Sequence, residues 1–378
     1  MINNIEVLIN SWLRDLILWG PNMEIYITKN DMLTMTGAAA VGSGIVNLLG
    51  ATGDNICLSN FNTDVFTMVE GRQAATPSTS VVERLVYGNR SNRKRMAILL
   101  YVMAEIHDLL LRHSSCTYRE LYYRNIYLPC NVWQINKAVE DVASVLGQTP
   151  WNMGVFGTGK GMIAGPLFIH MNNGDIIECN KTNTPTMIPP QFTHIDHFET
   201  TAHLVLVVEK DTIFKKLIAN NIFSIMQGKL ILLTARGNPD LSTRWLLSKL
   251  VNEHNLPIYM LADADPYGIE IMLTYRFGSK KYSQYAHQLA TPQLKWLGIH
   301  PSDITYNLQI PQEILSEMDY RKINSVMRRN YIPEEICREL MVLQQHGFKA
   351  KLDNMSGQNF ALFINDYIIN KIKRQVVL

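Results

Sequence analysis

Asp263 and Asp265 stand two residues apart at the end of a short apolar run, Ile258 to Ala262. In an extended chain that spacing points both carboxylates to the same side. Pro266 then suits the first turn of a helix, and Ile269, Leu273 and Phe277 recur at i, i+4 and i+8. The stretch predicts a buried strand, two acids at its carboxyl end, and a helix leading away. Strand carboxyl ends are where open α/β sheets place ligands and metals. The same Asp-Ala-Asp-Pro also fits a turn in which Asp265 caps the helix. A second acid-tipped run, HLVLVVEKD, places Glu209 at another strand end. Three carboxylates at neighbouring strand ends would form a hard-oxygen site suited to Mg²⁺.

Basic residues gather elsewhere. Arg84, Arg90, Arg93, Lys94 and Arg95 stand against one local acid, Glu83. The strip fits either the solvated start of a helix or a phosphate-facing surface. Lys160 lies in GTGKG, a glycine-rich turn where backbone and ammonium can both approach a phosphate. GSGIVNLLG, near residue 45, has no strand leading into it and no lysine after it, so it is not read as a phosphate loop.

The elements that must position these residues follow from periodicity. Residues 1–30 predict an amphipathic helix and a short strand, and 31–80 read as loop or poorly ordered linker. A helix over MAILLYVMAEIHDLLLRH places Ile98, Val102, Ile106 and Leu109 on one stripe. Thr117 to Glu120 forms a capping box for a second helix. Asn131 to Gln134 starts a third, with Val132, Ile135, Val139 and Val142 inward and Gly147 as its stop. The strand-like MGVF, MIAGPLFIHM and DIIEC follow, so three helices precede a β-ribbon, the order of a winged helix-turn-helix. From residue 203 strands and helices alternate, which predicts a parallel sheet, and the tail 291–378 is mostly helical. The expected division is an N-terminal segment 1–80, partly disordered, a winged-helix domain 81–180, a proline-bearing linker 181–202, and a metal-binding domain 203–378.

The chain has 378 residues, 47% hydrophobic, with 35 basic against 33 acidic side chains, so bulk charge does not announce a nucleic-acid binder. Its five cysteines are scattered without zinc spacing, as suits a reducing compartment. No apolar run reaches the ~20 residues of a membrane span, and the N-terminus makes a poor signal peptide, so no membrane partner is expected.

Several stretches together resemble a known family. RELYY (119–123), TGKGMIAG (158–165), VVEKD (207–211), TARGNPDLSTR (234–244), DADPYGIEIMLTYRFGS (263–279) and LKWLGIHPSDI (294–304) resemble the A subunit of topoisomerase VI. The similarity is closer to its eukaryotic relatives, the transesterases that make the double-strand breaks initiating meiotic recombination. The resemblance implies an α/β plus α+β fold: a CAP-like winged helix-turn-helix followed by a Toprim (parallel-sheet, Rossmann-like) domain with a helical C-terminal part. It implies Tyr123 as nucleophile, leaving a 5′-phosphotyrosyl link and a free 3′-hydroxyl, with Arg119 one helical turn earlier to assist. Glu209, Asp263 and Asp265 would hold Mg²⁺, Lys160, Arg236 and Arg244 would bind DNA or organise the site, and Phe223 corresponds to a position near DNA. The implied partners are double-stranded DNA, a second copy sharing the active site, meiotic accessory proteins and a topoisomerase VI B-like subunit, in the nucleus on chromosomes. The A subunit of a strand-passing topoisomerase VI is the alternative, and a non-catalytic winged-helix DNA-binding protein a more distant one. Glu120 stands where the family usually has Asp, and Arg236 where it usually has Lys. Asp265 is expected to divide its oxygens between metal and helix cap, making Asp263→Asn the more damaging change.

Overall fold

The computed structural model describes residues 1–19, 22–29, 81–124, 129–180, 184–306, 310–354 and 357–378. The GSGIVNLLG stretch and the rest of 31–80 lie outside the described residues. The chain divides into two compact units: Met1–Ser114 with Arg119–Gly154, and Ser115–Tyr118 with Val155–Leu378.

In the first unit, helix α1 (Ile2–Trp19) and the antiparallel strands β1 (Glu24–Lys29) and β2 (Val81–Val86) join α2 (Arg90–Leu111), most of α3 (Tyr118–Tyr123) and α4 (Val132–Leu146). Ile5, Leu8 and Trp12 recur at helical spacing and bury one face of α1. The expected stripe of α2 is fully interior, as are Ile135, Val139 and Val142 of α4. Val132, expected inward, is 38% exposed because it opens the first turn of α4. Asn131 and Gln134 form the predicted reciprocal cap, and Gly147 ends the helix at φ 60°, a left-handed value that favours glycine. Two of the five cations in the basic strip are paired with acids, and Arg90, Arg93 and Lys94 are exposed. Arg95 bonds Glu83 and, at 2.7 Å, the buried Asp141 of α4, while Arg84 pairs with Glu24 across β1 and β2.

The second unit is built on a six-stranded sheet. The parallel strands β10 (Leu204–Val208), β11 (Leu230–Thr234), β12 (Ile258–Leu261) and β13 (Lys295–Gly298) carry continuous apolar runs because both faces of the sheet are covered. Strand β10 is central, with β11 and β12 beside it. The expected wing takes a different course. Strand β3 (Cys116–Thr117) pairs in parallel with β4 (Val155–Phe156), but β5 (Met162–Ala164) joins the large sheet antiparallel to β11. Strand β6 (Leu167–Met171) instead forms a three-stranded antiparallel sheet with β7 (Ile176–Glu178) and β9 (Ile195–Thr200). The stretch expected as a linker therefore contains β9 and β8 (Thr186–Met187), which pairs with β5. GTGKG connects β4 to β5 and is not a hairpin turn. Helices α5 (Asp211–Ala219), α6 (Ile222–Ile225), α7 (Leu241–His254) and α8 (Pro266–Phe277) follow the strands. Strands β14 (Gln312–Ile314) and β15 (Phe348–Ala350) pair antiparallel nearer the C-terminus. No described helix is long and apolar enough to cross a membrane.

A buried polar network ties the C-terminal helices to the β13 edge. Lys371 donates to Asp303 Oδ2 at 2.6 Å and to the Leu297 carbonyl at 3.2 Å, and reaches His300 Nδ1 at 3.0 Å. The Tyr367 hydroxyl donates to the same Asp303 oxygen at 2.5 Å. Burial, and then the adjacent Lys371 ammonium, push His300 down from 6.5 to about 4. Between those values the unfolded chain binds a proton that the folded state refuses, so stability is complete above pH 6.5 and falls on acidification. Thermal unfolding should show a falling midpoint from pH 7 to pH 5, with up to about 2 kcal/mol of the loss due to His300. His300→Gln should flatten that fall, and an unchanged slope would refute the assignment.

Candidate active site

Because β10 and β12 are parallel neighbours with Val208 opposite Leu261, the residues that follow them emerge side by side. The Glu209 N–H donates to the Leu261 carbonyl at 3.0 Å, and the Asp263 N–H donates to Glu209 Oε2 at 2.9 Å. Asp265 caps α8, its Oδ1 accepting the N–H groups of Tyr267 at 2.9 Å and Gly268 at 2.6 Å. The capping reading of Asp-Ala-Asp-Pro is therefore realised, together with the strand-end placement. Gly268 is required here by close approach. A Cβ on it would lie 2.6 Å from the Asp263 carbonyl oxygen and 2.9 Å from Glu209 Oε2.

All three carboxylates are interior, at 8%, 1% and 8% exposure for Glu209, Asp263 and Asp265. Burial, and then the neighbouring Asp263, push Glu209 up to about 7. Burial also raises Asp263, against the pull of Lys210. Lys210, the N-cap residue of α5, contacts Asp263 Oδ2 and pairs with Asp353 Oδ2 at 2.9 Å. Burial disfavours its charge, yet the two aspartates hold the ammonium above its ordinary value. Asp263 Oδ1 accepts the Leu352 N–H at 2.8 Å, and Ala264 exchanges backbone hydrogen bonds with Ala350 at 3.0 and 3.2 Å. The segment after β15 thus closes over the carboxylates.

The three carboxylates expected to hold Mg²⁺ come from neighbouring strand ends, as expected. Among the described residues, no group of three or more His, Cys, Asp or Glu side chains is arranged to hold a metal ion. The donor chemistry nevertheless fits a hard divalent cation. Glu209 Oε1 and Asp265 Oδ2 take no hydrogen bond from the described residues, and Asp263 Oδ2 faces an ammonium.

Around the glycine-turn motif, Asp240 caps α7 and also accepts the Lys160 N–H on Oδ2 at 3.1 Å. Lys160 Nζ in turn donates to the Arg236 carbonyl at 3.3 Å. Lys160 and Arg236, predicted to meet DNA, are thus brought together. Arg236 is 39% exposed with its guanidinium 3.5 Å from Asp211. Gly161 is fixed by packing, since a Cβ there would lie 2.0 Å from Thr243 Oγ1. Two residues expected near DNA are interior. Phe223 is 6% exposed and belongs to the core with Phe214, Leu217 and Ile222, because α6 turns it inward. Arg244 is 2% exposed, donating to the Leu289 carbonyl at 3.2 Å and to Ser279 Oγ at 3.4 Å, a placement that suits organising the site.

In the helical unit, Arg119 and Tyr123 share a face of α3 by their four-residue spacing, and both are exposed, Tyr123 at 67%. Tyr122 is half-buried, its ring edge-on to Tyr123 with centroids 5.3 Å apart. The carboxylates and the tyrosine lie in different compact units. Sequence reasoning missed Lys210, Gly268 and Asp353. Lys210 was visible as a cation beside Glu209, whereas Asp353 lies 90 residues beyond Asp263 with no local signal.

Residues 204–372 match the family model of the Toprim domain of the topoisomerase 6 A-subunit/Spo11 proteins, and 94–155 match that of type IIB DNA topoisomerase. A meiotic recombination protein of Drosophila melanogaster is 36% identical over 321 residues, 85% of this chain and 96% of that protein. The meiotic recombination protein SPO11 of Mus musculus is 34% identical over 74% of this chain and 72% of its own length. The A-subunit of DNA topoisomerase 6 of Arabidopsis thaliana is 30% identical over 76% and 68% respectively.

Gly268→Ala should cost about 1–3 kcal/mol by overpacking, whereas Asp265→Asn, which keeps a capping oxygen, should cost less than about 1 kcal/mol. Denaturant unfolding of both variants checks the order, and a harmless Gly268→Ala would show that the two strand ends are not locked together there.

Proposed function

The chain belongs to the topoisomerase 6 A-subunit/Spo11 family, and from that premise we propose that Tyr123 is the nucleophile of DNA cleavage and that Glu209, Asp263 and Asp265 hold Mg²⁺. The enzyme is a topoisomerase-like DNA-cleaving transesterase that forms the double-strand breaks of meiotic recombination. The observation that carries the site assignment is Tyr123 itself, a phenol 67% exposed near a basic side chain on the same helical face.

In the proposed step the Tyr123 oxygen bonds to the scissile phosphorus and the bond from phosphorus to the 3′ oxygen breaks. The phenol proton passes to solvent, the 3′ oxygen acquires one, and a 5′-phosphotyrosyl ester remains. One ester replaces another, so no oxidant or external energy source enters the balance. A guanidinium on the same helical face suits the charge that develops on the pentacovalent phosphorus. Bound at the carboxylates, Mg²⁺ would supply Lewis-acid stabilisation of the departing oxygen. Lys160 and Arg236 lie together in the same unit as those carboxylates and suit backbone phosphates. The helical unit would dock DNA in the manner of a winged helix, with α4 as its third helix. Placement of tyrosine and carboxylates in separate units suits a homodimer in which each site draws on both copies, acting with meiotic accessory proteins and a B-type subunit on chromosomes. The Arabidopsis relative's name favours strand passage as the second reading. Relaxation of supercoiled DNA by the protein with its B-type partner separates the two.

Tyr123→Phe should abolish the covalent protein–DNA adduct trapped after denaturation while leaving the thermal midpoint unchanged, because the hydroxyl has no bonding partner among the described residues. Adduct formation by that variant would overturn the nucleophile. Burial and the neighbouring Asp263 raise Glu209 to about 7, so a cation must displace a proton at lower pH. Mg²⁺ affinity should therefore strengthen as pH rises through 7, and Glu209→Gln should weaken binding and flatten that dependence. Cleavage indifferent to both chelation and Glu209→Gln would remove the metal from the reaction.

A further inference from the structure

Asp263 has one oxygen left for a cation, and a lysine already holds it. Its Oδ1 is committed to the Leu352 N–H at 2.8 Å, and its Oδ2 contacts Lys210 Nζ. Any cation that binds Asp263 through Oδ2 must first move that ammonium. The same ammonium already bridges to Asp353 Oδ2 at 2.9 Å. Asp353 does not depend on Lys210 for its position. The Thr212 hydroxyl donates to Asp353 Oδ1, and Lys216 Nζ donates to the Asp353 carbonyl at 3.4 Å. Asp353 is also 37% exposed against 2% for the Asp263 side chain, so it holds a displaced charge at the edge of the site instead of within it.

We infer that Lys210 is a positioning residue that serves as an internal counter-cation, neutralising Asp263 until a divalent cation enters and then passing to Asp353. The inference rests on the reading of Glu209, Asp263 and Asp265 as a cation site. Lys210 and a divalent ion are alternatives at one oxygen, so the lysine sets how much cation the site needs. Without the ammonium, the buried Asp263 would keep the Leu352 N–H as its hydrogen-bond donor beside two further carboxylates. With the ammonium but without Asp353, Lys210 would have no anionic partner to take it when the cation arrives. The device thus tunes affinity through two side chains that need not touch the metal.

The test is Mg²⁺ titration of the full chain, read as the rise in thermal midpoint and independent of DNA cleavage. Lys210→Met should lower the half-saturating Mg²⁺ concentration by about tenfold, the scale of removing one nearby charge. Asp353→Asn should raise it by roughly threefold or more, and Thr212→Ala, which unseats Asp353 while touching neither Lys210 nor the carboxylates, should shift it in the same direction. In the Lys210→Met background Asp353→Asn should lose most of its effect, because there is no ammonium left to receive. Additive effects of the two substitutions would reduce both residues to background charges and overturn the handover. So would a Lys210→Met protein that folds and binds Mg²⁺ no more tightly than the wild type. If Lys210→Met does not fold, Thr212→Ala and Asp353→Asn decide alone, and unchanged Mg²⁺ binding in both overturns the inference. A wild-type protein that shows no stabilisation by Mg²⁺ would overturn the cation site and the handover together.

Discussion

Moving a carboxylate out of water costs several kcal/mol even after the protein relaxes around it, and this chain places three of them at the covered end of one sheet. Glu209, Asp263 and Asp265 each keep at least one oxygen answered by a backbone N–H. Much of the second unit reads as that answer. Parallel pairing of β10 with β12 sets the Asp263 N–H against Glu209. The start of α8 offers two N–H groups to Asp265, and Gly268 lets that turn approach within a distance no side chain permits. The Ala264–Ala350 bridge brings the Leu352 N–H to Asp263. Neutral donors hold the carboxylates in place without cancelling their charge, and the remaining electrostatic demand falls on Lys210.

The helical unit solves the opposite problem with other means. Its cations are drawn into pairs by acids distant in sequence, Arg84 by Glu24 and Arg95 by Asp141. Asp141 is 5% exposed, so breaking the Arg95 bridge from one side would leave an uncompensated buried charge. Other cations, Arg90, Arg93 and Lys94 among them, stay exposed. Arg119 and Tyr123 are exposed at the end of a six-residue helix while Leu121 between them is interior. The helix is anchored through Leu121, and the face carrying Arg119 and Tyr123 is turned to solvent.

This contrast explains which parts of the chain could be read in advance. Strands β10 to β12 announce themselves because burial on both faces demands unbroken apolar runs, and the α4 boundaries because Asn131, Gln134 and Gly147 act on neighbours three or four residues away. The expected β-ribbon is realised only in its second half, where β6 pairs with β7 across the Asn172–Gly174 turn, for a related reason. MIAGPLFIHM satisfies strand propensity wherever it pairs, and nothing local says that its first half joins β11 while its second half joins β9. The carboxylates were legible as residues at strand ends. The second partner of Lys210 was not, because Lys210 and Asp353 meet across 143 positions, a separation at which sequence spacing carries no geometry.

The glycine-turn motif shows how far chemistry inferred from residue type can differ from chemistry allowed by position. The family resemblance implies that Arg236 and Arg244 bind DNA or organise the site. In the fold, Asp240 joins the Lys160 backbone to the start of α7, and Arg244 continues that connection inward to Leu289 and Ser279. Burial lowers the Arg244 guanidinium only to about 10, so it remains charged at neutral pH with carbonyl and hydroxyl oxygens as its partners. An arginine held that way is sensitive to the position of each oxygen, since moving any of them exposes a desolvated charge. Arg244 therefore fixes α7 against the segment that follows α8, and α7 fixes the loop carrying Lys160. The motif's two arginines divide the work: Arg236 remains at the surface beside Lys160, and Arg244 makes the frame that keeps them there.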